Sequence, residues 1–304
     1  MFSPTAVAIL LFQMAGSDVM SQELDAPPRP DWSRPCTVLN GPWRFDFDPG
    51  DLGEKENWPQ SHAFTRTIVV PYPWQSELSG IGDVEYQGVA WYQCDITVPK
   101  DIVNRRVFLV FGAVDYHAKV WVGDALVAEH EGGYTPFEAE ITDLVKPGES
   151  AKVTVRAHDI TDPETPTGKQ TGWYTRTGGI WQTPYIEYRG LSYIRKAHIT
   201  PDIDKEQAAF DCEIEARQAG SYTVAVHAVL GSIHLRTKKT VACQRGLNKV
   251  QVILPVRNPS LWSPDSPSLY ETRLTLLRGE TAVDAVETYF GMRKIGRGVY
   301  GGSG

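Results

Sequence analysis

Two stretches gather residues that could do chemistry. In "HEGGYTPFE", residues 130–138, His and Glu stand side by side as in a zinc-protease helix. That chemistry needs a second His one helical turn on, but position 134 is Tyr134, and Gly132 and Gly133 would break the helix. The expectation here is a Gly-Gly turn leaving the strand "ALVAEH", with Tyr134 and Phe137 packed behind it. The second stretch, "GKQTGWYTRTGGIWQTPYIE", residues 168–187, brings Lys169, Gln170, Trp173, Tyr174, Arg176, Trp181 and Gln182 within fourteen residues. Sugars need such a mixture, because the C–H face of a pyranose packs on an aromatic ring while its hydroxyls demand directional partners. Trp173, Tyr174 and Arg176 fall in the polar loop and are candidate sugar contacts, loops on a rigid scaffold being a common seat of function. Trp181, inside "IWQTPYIE", reads as a strand aromatic.

Other chemistries find no device. There is no G-x-S-x-G elbow for a serine nucleophile, and neither G-x-x-x-x-G-K-[ST] nor G-x-G-x-x-G opens a helix to hold phosphates. The seven His are scattered singly, so neither a metal nor a cofactor is expected. A formal charge of -7 with no block of Lys and Arg leaves nothing to neutralise a phosphate backbone, which excludes nucleic acid and an anionic membrane surface as partners. Cys36, Cys94, Cys212 and Cys243 lie far apart without a C-x-x-C, and are expected to be free thiols.

The elements that must position the loop are strands. Aromatics, Gly and Pro are plentiful, and they favour short pleated segments joined by tight turns. From residue 39 the pattern alternates with period two: "WRFDFD", "TRTIVVPYPW", "AWYQCDITVP", "RRVFLVFGAV", "AKVWVGDALVAEH" and "AKVTVRAHD". In "RRVFLVFGAV" both alternating sets are apolar, which predicts a strand covered on both faces. The nearest approach to a helix, "EITDLVKPG", is stopped by Pro147 and Gly148 after about one turn. After residue 191 the strands become more regular and less aromatic, about seven in about 105 residues, as in an immunoglobulin-like sandwich. The fold class is therefore all-β. Residues 21–36 are Pro-rich and extended, since each Pro pushes its predecessor toward β or polyproline geometry. Residues 6–12 form a short apolar run with neither a preceding Lys or Arg nor a clear cleavage site. A cytoplasmic protein starting at Met20 is the expectation, and a secreted or periplasmic one with a signal peptide is the alternative.

Taken together, "LNGPWRFDFDP" (39–49), "VPYPWQSELSG" (70–80), "GVAWYQCDITVP" (88–99), "VFLVFGAVDYHAKVWVGD" (107–124), "HEGGYTPFEAEIT" (130–142) and "WYTRTGGIWQTPYIE" (173–187) resemble the N-terminal part of a family 2 glycoside hydrolase, the group of β-galactosidases, β-glucuronidases and β-mannosidases. "PSLWSPDSPSLYETRLTL" (259–276) and "YFGMRKI" (289–295) resemble the last strands of that family's immunoglobulin-like domain. The resemblance implies an extension over 1–38, a jelly-roll sugar-binding domain over 39–190, an immunoglobulin-like sandwich over 191–296, and a linker at 297–304 toward a catalytic barrel. Such a barrel takes about 250 residues and carries the two catalytic glutamates, one after an Asn; no Asn here precedes Glu. No catalytic residue is therefore expected in this sequence, and its expected role is to supply pocket loops and scaffold for a β-glycoside. A free-standing carbohydrate-binding or scaffold protein is the alternative, and homo-oligomers are among the expected assemblies. By the same resemblance the loop before Trp91 adds Glu85, Tyr86 and Gln87 as candidate contacts. Some β-galactosidases carry a substrate- and metal-binding Asp near Trp173; Gly172 and Trp173 stand there instead.

Overall fold

The computed structural model describes residues 29, 31–159, 164 and 174–296, which divide into two compact units. Unit 1 contains Pro35–Tyr188, and unit 2 contains Arg29–Arg34 together with Arg189 onward. Trp173, with the rest of 165–173, lies outside the described residues.

Unit 1 is a sandwich of two sheets. One sheet orders β3 (Arg66–Val70), β2 (Gly41–Asp48), β4 (Gly88–Thr97), β9 (Ser150–Asp159), β6 (His117–Val122) and β7 (Ala125–Glu131) side by side. The other orders β1 (Cys36–Val38), β10 (Gly179–Gly190), β5 (Arg105–Asp115) and β8 (Phe137–Glu140). The period-two pattern of β2 explains its seat. Trp43 and Phe45 point inward and are buried, while Arg44, Asp46 and Asp48 point to the other face. Those outward carboxylates organise the segment after the strand. Asp46 accepts from the Thr65 amide and hydroxyl at 2.8 and 2.6 Å, and Asp48 accepts from the amides of Leu52 and Gly53 and from the indole of Trp91. Val107 through Phe111 of β5 are all buried, as the double apolar pattern predicts. The helix stop at Pro147 also holds, with a single 3-10 turn at Thr142–Leu144.

Unit 2 packs a sheet of β11 (Tyr193–Asp202), β12 (Gln207–Ala216) and β15 (Gly246–Pro255) against one of β14 (Ile233–Cys243), β13 (Gly220–Leu230), β16 (Tyr270–Arg278) and β17 (Thr281–Phe290). These are the seven strands that the spacing predicts. Alternate residues Tyr222, Val224, Val226 and Ala228 of β13 and Ala208, Phe210, Cys212 and Ile214 of β12 face one another in its core. All four cysteines are free.

The extension expected up to residue 38 is divided by the fold. Pro35 fixes an extended backbone that runs on into β1, where Cys36 pairs with Glu187 of β10. The six residues before it join unit 2. Ser33 exchanges two backbone hydrogen bonds of 2.9 Å with Glu287, and the Thr288 hydroxyl donates to the Asp31 carbonyl. Arg34 enters a closed socket. Its guanidinium meets the Asp284 carboxylate at 3.0 Å, donates to the Ile194 carbonyl, and lies 5.5 and 6.0 Å from the rings of Trp32 and Tyr193. Asp284 also accepts from the amides of Gly190 and Ile194.

Candidate functional site

In unit 1 the chemistry-bearing residues gather where β5 and β9 end and β10 begins. Two loops meet there on Trp74, which is fully buried. Its indole donates to the Tyr86 carbonyl at 3.3 Å, and a Cβ at Gly178 would stand 2.3 Å from its ring. Gln75 completes the junction by accepting the Gly178 amide at 3.0 Å. Gly179 has φ +80, and a Cβ there would lie 2.0 Å from the Tyr92 hydroxyl, so two glycines are required for the chain to enter β10 this close to the core. The sequence reading placed these glycines in a loop; the structure shows that they bring residues 74–87 and 174–179 together.

The predicted contacts fare differently. Tyr174 is 67% exposed. Arg176 is half-buried beside Asp159, whose carboxylate its charge favours. Glu85 and Gln87 are exposed on a turn that Asp83 ties by accepting the amides of Glu85 and Tyr86. Tyr86 is used by the fold itself. Its ring stacks on Phe47 at 3.8 Å, its hydroxyl donates to the Val89 carbonyl at 2.6 Å, and burial pushes its pKa up to about 12. It braces the loop while its neighbours on either side face solvent.

Two acids that the sequence does not single out, and Tyr134, belong to the same region. Asp159, the last residue of β9, is only 7% exposed, and its Oδ2 has no hydrogen-bond partner among the described residues. Burial, with Asp115 adding to it and Arg176 opposing, raises its pKa to about 7. Asp115, the last residue of β5, is raised to about 6 by burial. Tyr134, expected to pack inward, is instead 58% exposed and meets Trp181 edge-on at 5.5 Å, because Phe137 already fills the inward place by stacking on Phe111. The available signal for the two acids was position: each closes an apolar strand just before a polar turn. Among the described residues no three His, Cys, Asp or Glu side chains come together to hold a metal ion. What the arrangement offers is hydrogen-bond acceptors, one cation and exposed aromatic faces.

The sequence model "Glycosyl hydrolases family 2, sugar binding domain" matches residues 36–162, and "Glycosyl hydrolases family 2" matches residues 192–293. The chain belongs to glycosyl hydrolase family 2. Its sugar-binding domain therefore coincides with the unit that carries the site. A β-glucuronidase of Paenibacillus borealis is 27% identical to this family 2 chain over 279 residues, covering 82% of the chain and 44% of the relative. A β-galactosidase of Thermoanaerobacter pseudethanolicus is 25% identical, covering 92% of the chain and 36% of the relative. The chain thus spans less than half the length of these relatives. A solved β-glucuronidase from Ruminococcus gnavus, in complex with N1-substituted uronic isofagomine, has the same fold at TM-score 0.71 and 19% identity, over 86% of this chain and 46% of that one.

Proposed function

We propose that these residues are the non-catalytic N-terminal portion of a family 2 β-glycosidase, in which they supply scaffold and one wall of a sugar pocket while glycosidic bonds are cleaved by residues outside this sequence. The observation that carries the reading is the side-by-side match of the family's sugar-binding and second domains in a chain that spans 44% and 36% of two relatives named as glycosidases. The wall consists of Tyr174, Arg176, Glu85 and Gln87, with Tyr86 bracing the loop, and Asp115 and Asp159 behind. Retaining cleavage needs two carboxylates about 5–5.5 Å apart about the scissile bond.

The pure 304-residue chain is expected to release no nitrophenol from aryl β-glucuronides or β-galactosides above a mock preparation. The same residues joined to a family 2 barrel are expected to do so. Turnover by the chain alone would overturn the proposal.

A further inference from the structure

The strand β7 leaves its sheet through Gly132, with φ +119, whose amide donates to the Tyr116 carbonyl at 3.0 Å. Gly133 follows, and three groups converge on it. The Trp181 indole donates to its carbonyl at 2.7 Å. The Asp115 carboxylate presses against its Cα, for a Cβ there would stand 2.4 Å from Oδ1. Tyr134 is its neighbour in the chain and touches Trp181 edge-on.

Each part is fixed by something other than a ligand. Trp181 is oriented by its hydrogen bond, and the turn is anchored by Phe137 between Phe111 and His130, with ring centroids 5.1 and 4.5 Å away. Tyr134 is therefore not needed as an anchor, yet it is held with 58% of its surface in solvent. The Asp115 carboxylate abuts Gly133 and burial is the cause of its raised pKa, so an acceptor stands one residue from an exposed aromatic ring.

We infer that Gly133, Tyr134, Trp181 and Asp115 form a subsite for a neutral pyranose, the sugar's C–H face lying on Tyr134 and a ring hydroxyl donating to Asp115. The inference rests on the sugar-pocket reading above and narrows it. A carboxylate at this place accepts from a sugar hydroxyl and repels a second anion, so a uronic acid fits this corner worse than a hexose. A planar aryl group could stack on Tyr134 but would give Asp115 no donor.

The test is a titration of the isotope-labelled 304-residue chain, followed by NMR of the Gly133 amide and the Tyr134 and Trp181 rings. The probes are methyl β-galactopyranoside, methyl β-glucuronide and nitrobenzene at millimolar concentrations. The galactoside is expected to shift all three sets of signals and the glucuronide to do so more weakly. Tyr134→Ala should weaken galactoside binding roughly 2- to 12-fold, the range of one aromatic contact. Trp181→Phe, which keeps a ring but loses the pin to Gly133, should weaken it less. Tyr134 is exposed, so its variant should melt with the parent, which a thermal scan checks. Equal or tighter glucuronide binding, a response to nitrobenzene alone, or no response at these signals would each overturn the subsite. Shifts confined to Tyr174 and Arg176 would overturn it while leaving the proposed function standing, because that reading is judged separately by hydrolysis.

Discussion

Replacing Arg34 by Met should unfold unit 2 early while sparing unit 1. Both side chains of the Arg34 and Asp284 pair are 1% exposed, so the guanidinium is the counter-charge of a carboxylate that water cannot reach. Removing one partner of a buried pair costs about 3–5 kcal/mol, since the remaining charge stays desolvated. Asp284 keeps two amide donors, from Gly190 and Ile194, which places the expected loss near the lower end, about 3 kcal/mol. With a urea dependence of about 1–3 kcal/mol per molar, the midpoint of that transition falls by roughly 1–3 M. The assay is urea unfolding of the full chain, followed by far-ultraviolet circular dichroism and by proteolysis to assign each transition to its unit. The double change Arg34→Met with Asp284→Asn should recover part of the loss, because the stranded charge is gone while an acceptor remains for one of the two amides. A midpoint within about 0.3 M of the parent, or a shift in the transition of unit 1, would refute the reasoning.

Two further outcomes follow from the first unit. Asp159 holds a proton in the folded state up to about pH 7, whereas the unfolded chain gives it up near the ordinary carboxyl value of 3.8, so this residue makes stability fall as pH rises between those values and then level off. At about 1.4 kcal/mol per pKa unit, reduced for partial solvent screening, the effect is about 2–4 kcal/mol; Asp159→Asn should flatten that slope and raise stability at pH 8, and an unchanged slope in thermal melts would count against it. Gly53→Ala should destabilise by about 1–3 kcal/mol, because the added Cβ would stand 2.6 Å from the indole of the fully buried Trp91; a neutral urea midpoint would show that the segment moves aside freely.

Much of the scaffold was legible because strands write their faces into the chain. The alternation of Trp43 and Phe45 with Arg44 and Asp46, and of Tyr222, Val224 and Val226 in β13, is read directly as inside and outside. The polar loop before β10 stood out by composition, and of its described residues Tyr174 is exposed and Arg176 half-buried. Pairing over long distance was not legible. Nothing in "DWSR" says that Ser33 will bond to Glu287 or that Arg34 will be buried, since an extended segment pairs with whichever edge is free. Burial of charge is equally silent. An Asp at a strand end reads as a solvated turn residue, and only the approach of Trp74 and Gly178 encloses Asp159. The outward turn of Tyr134 was hidden for a similar reason: an aromatic beside a glycine turn can face either way, and the neighbouring Phe137 decides which.

The Arg34 socket also sets a schedule. Arg34 and Asp284 stand 250 residues apart in the chain. A ribosome adding about 5–20 residues each second emits the basic segment some 12–50 s before its acceptor exists. During that interval Trp32 and Arg34 are a sticky, unpaired leader on a nascent chain, open to chaperones and proteases. A strand made some 250 residues later is thus the one that finally shelters this early segment.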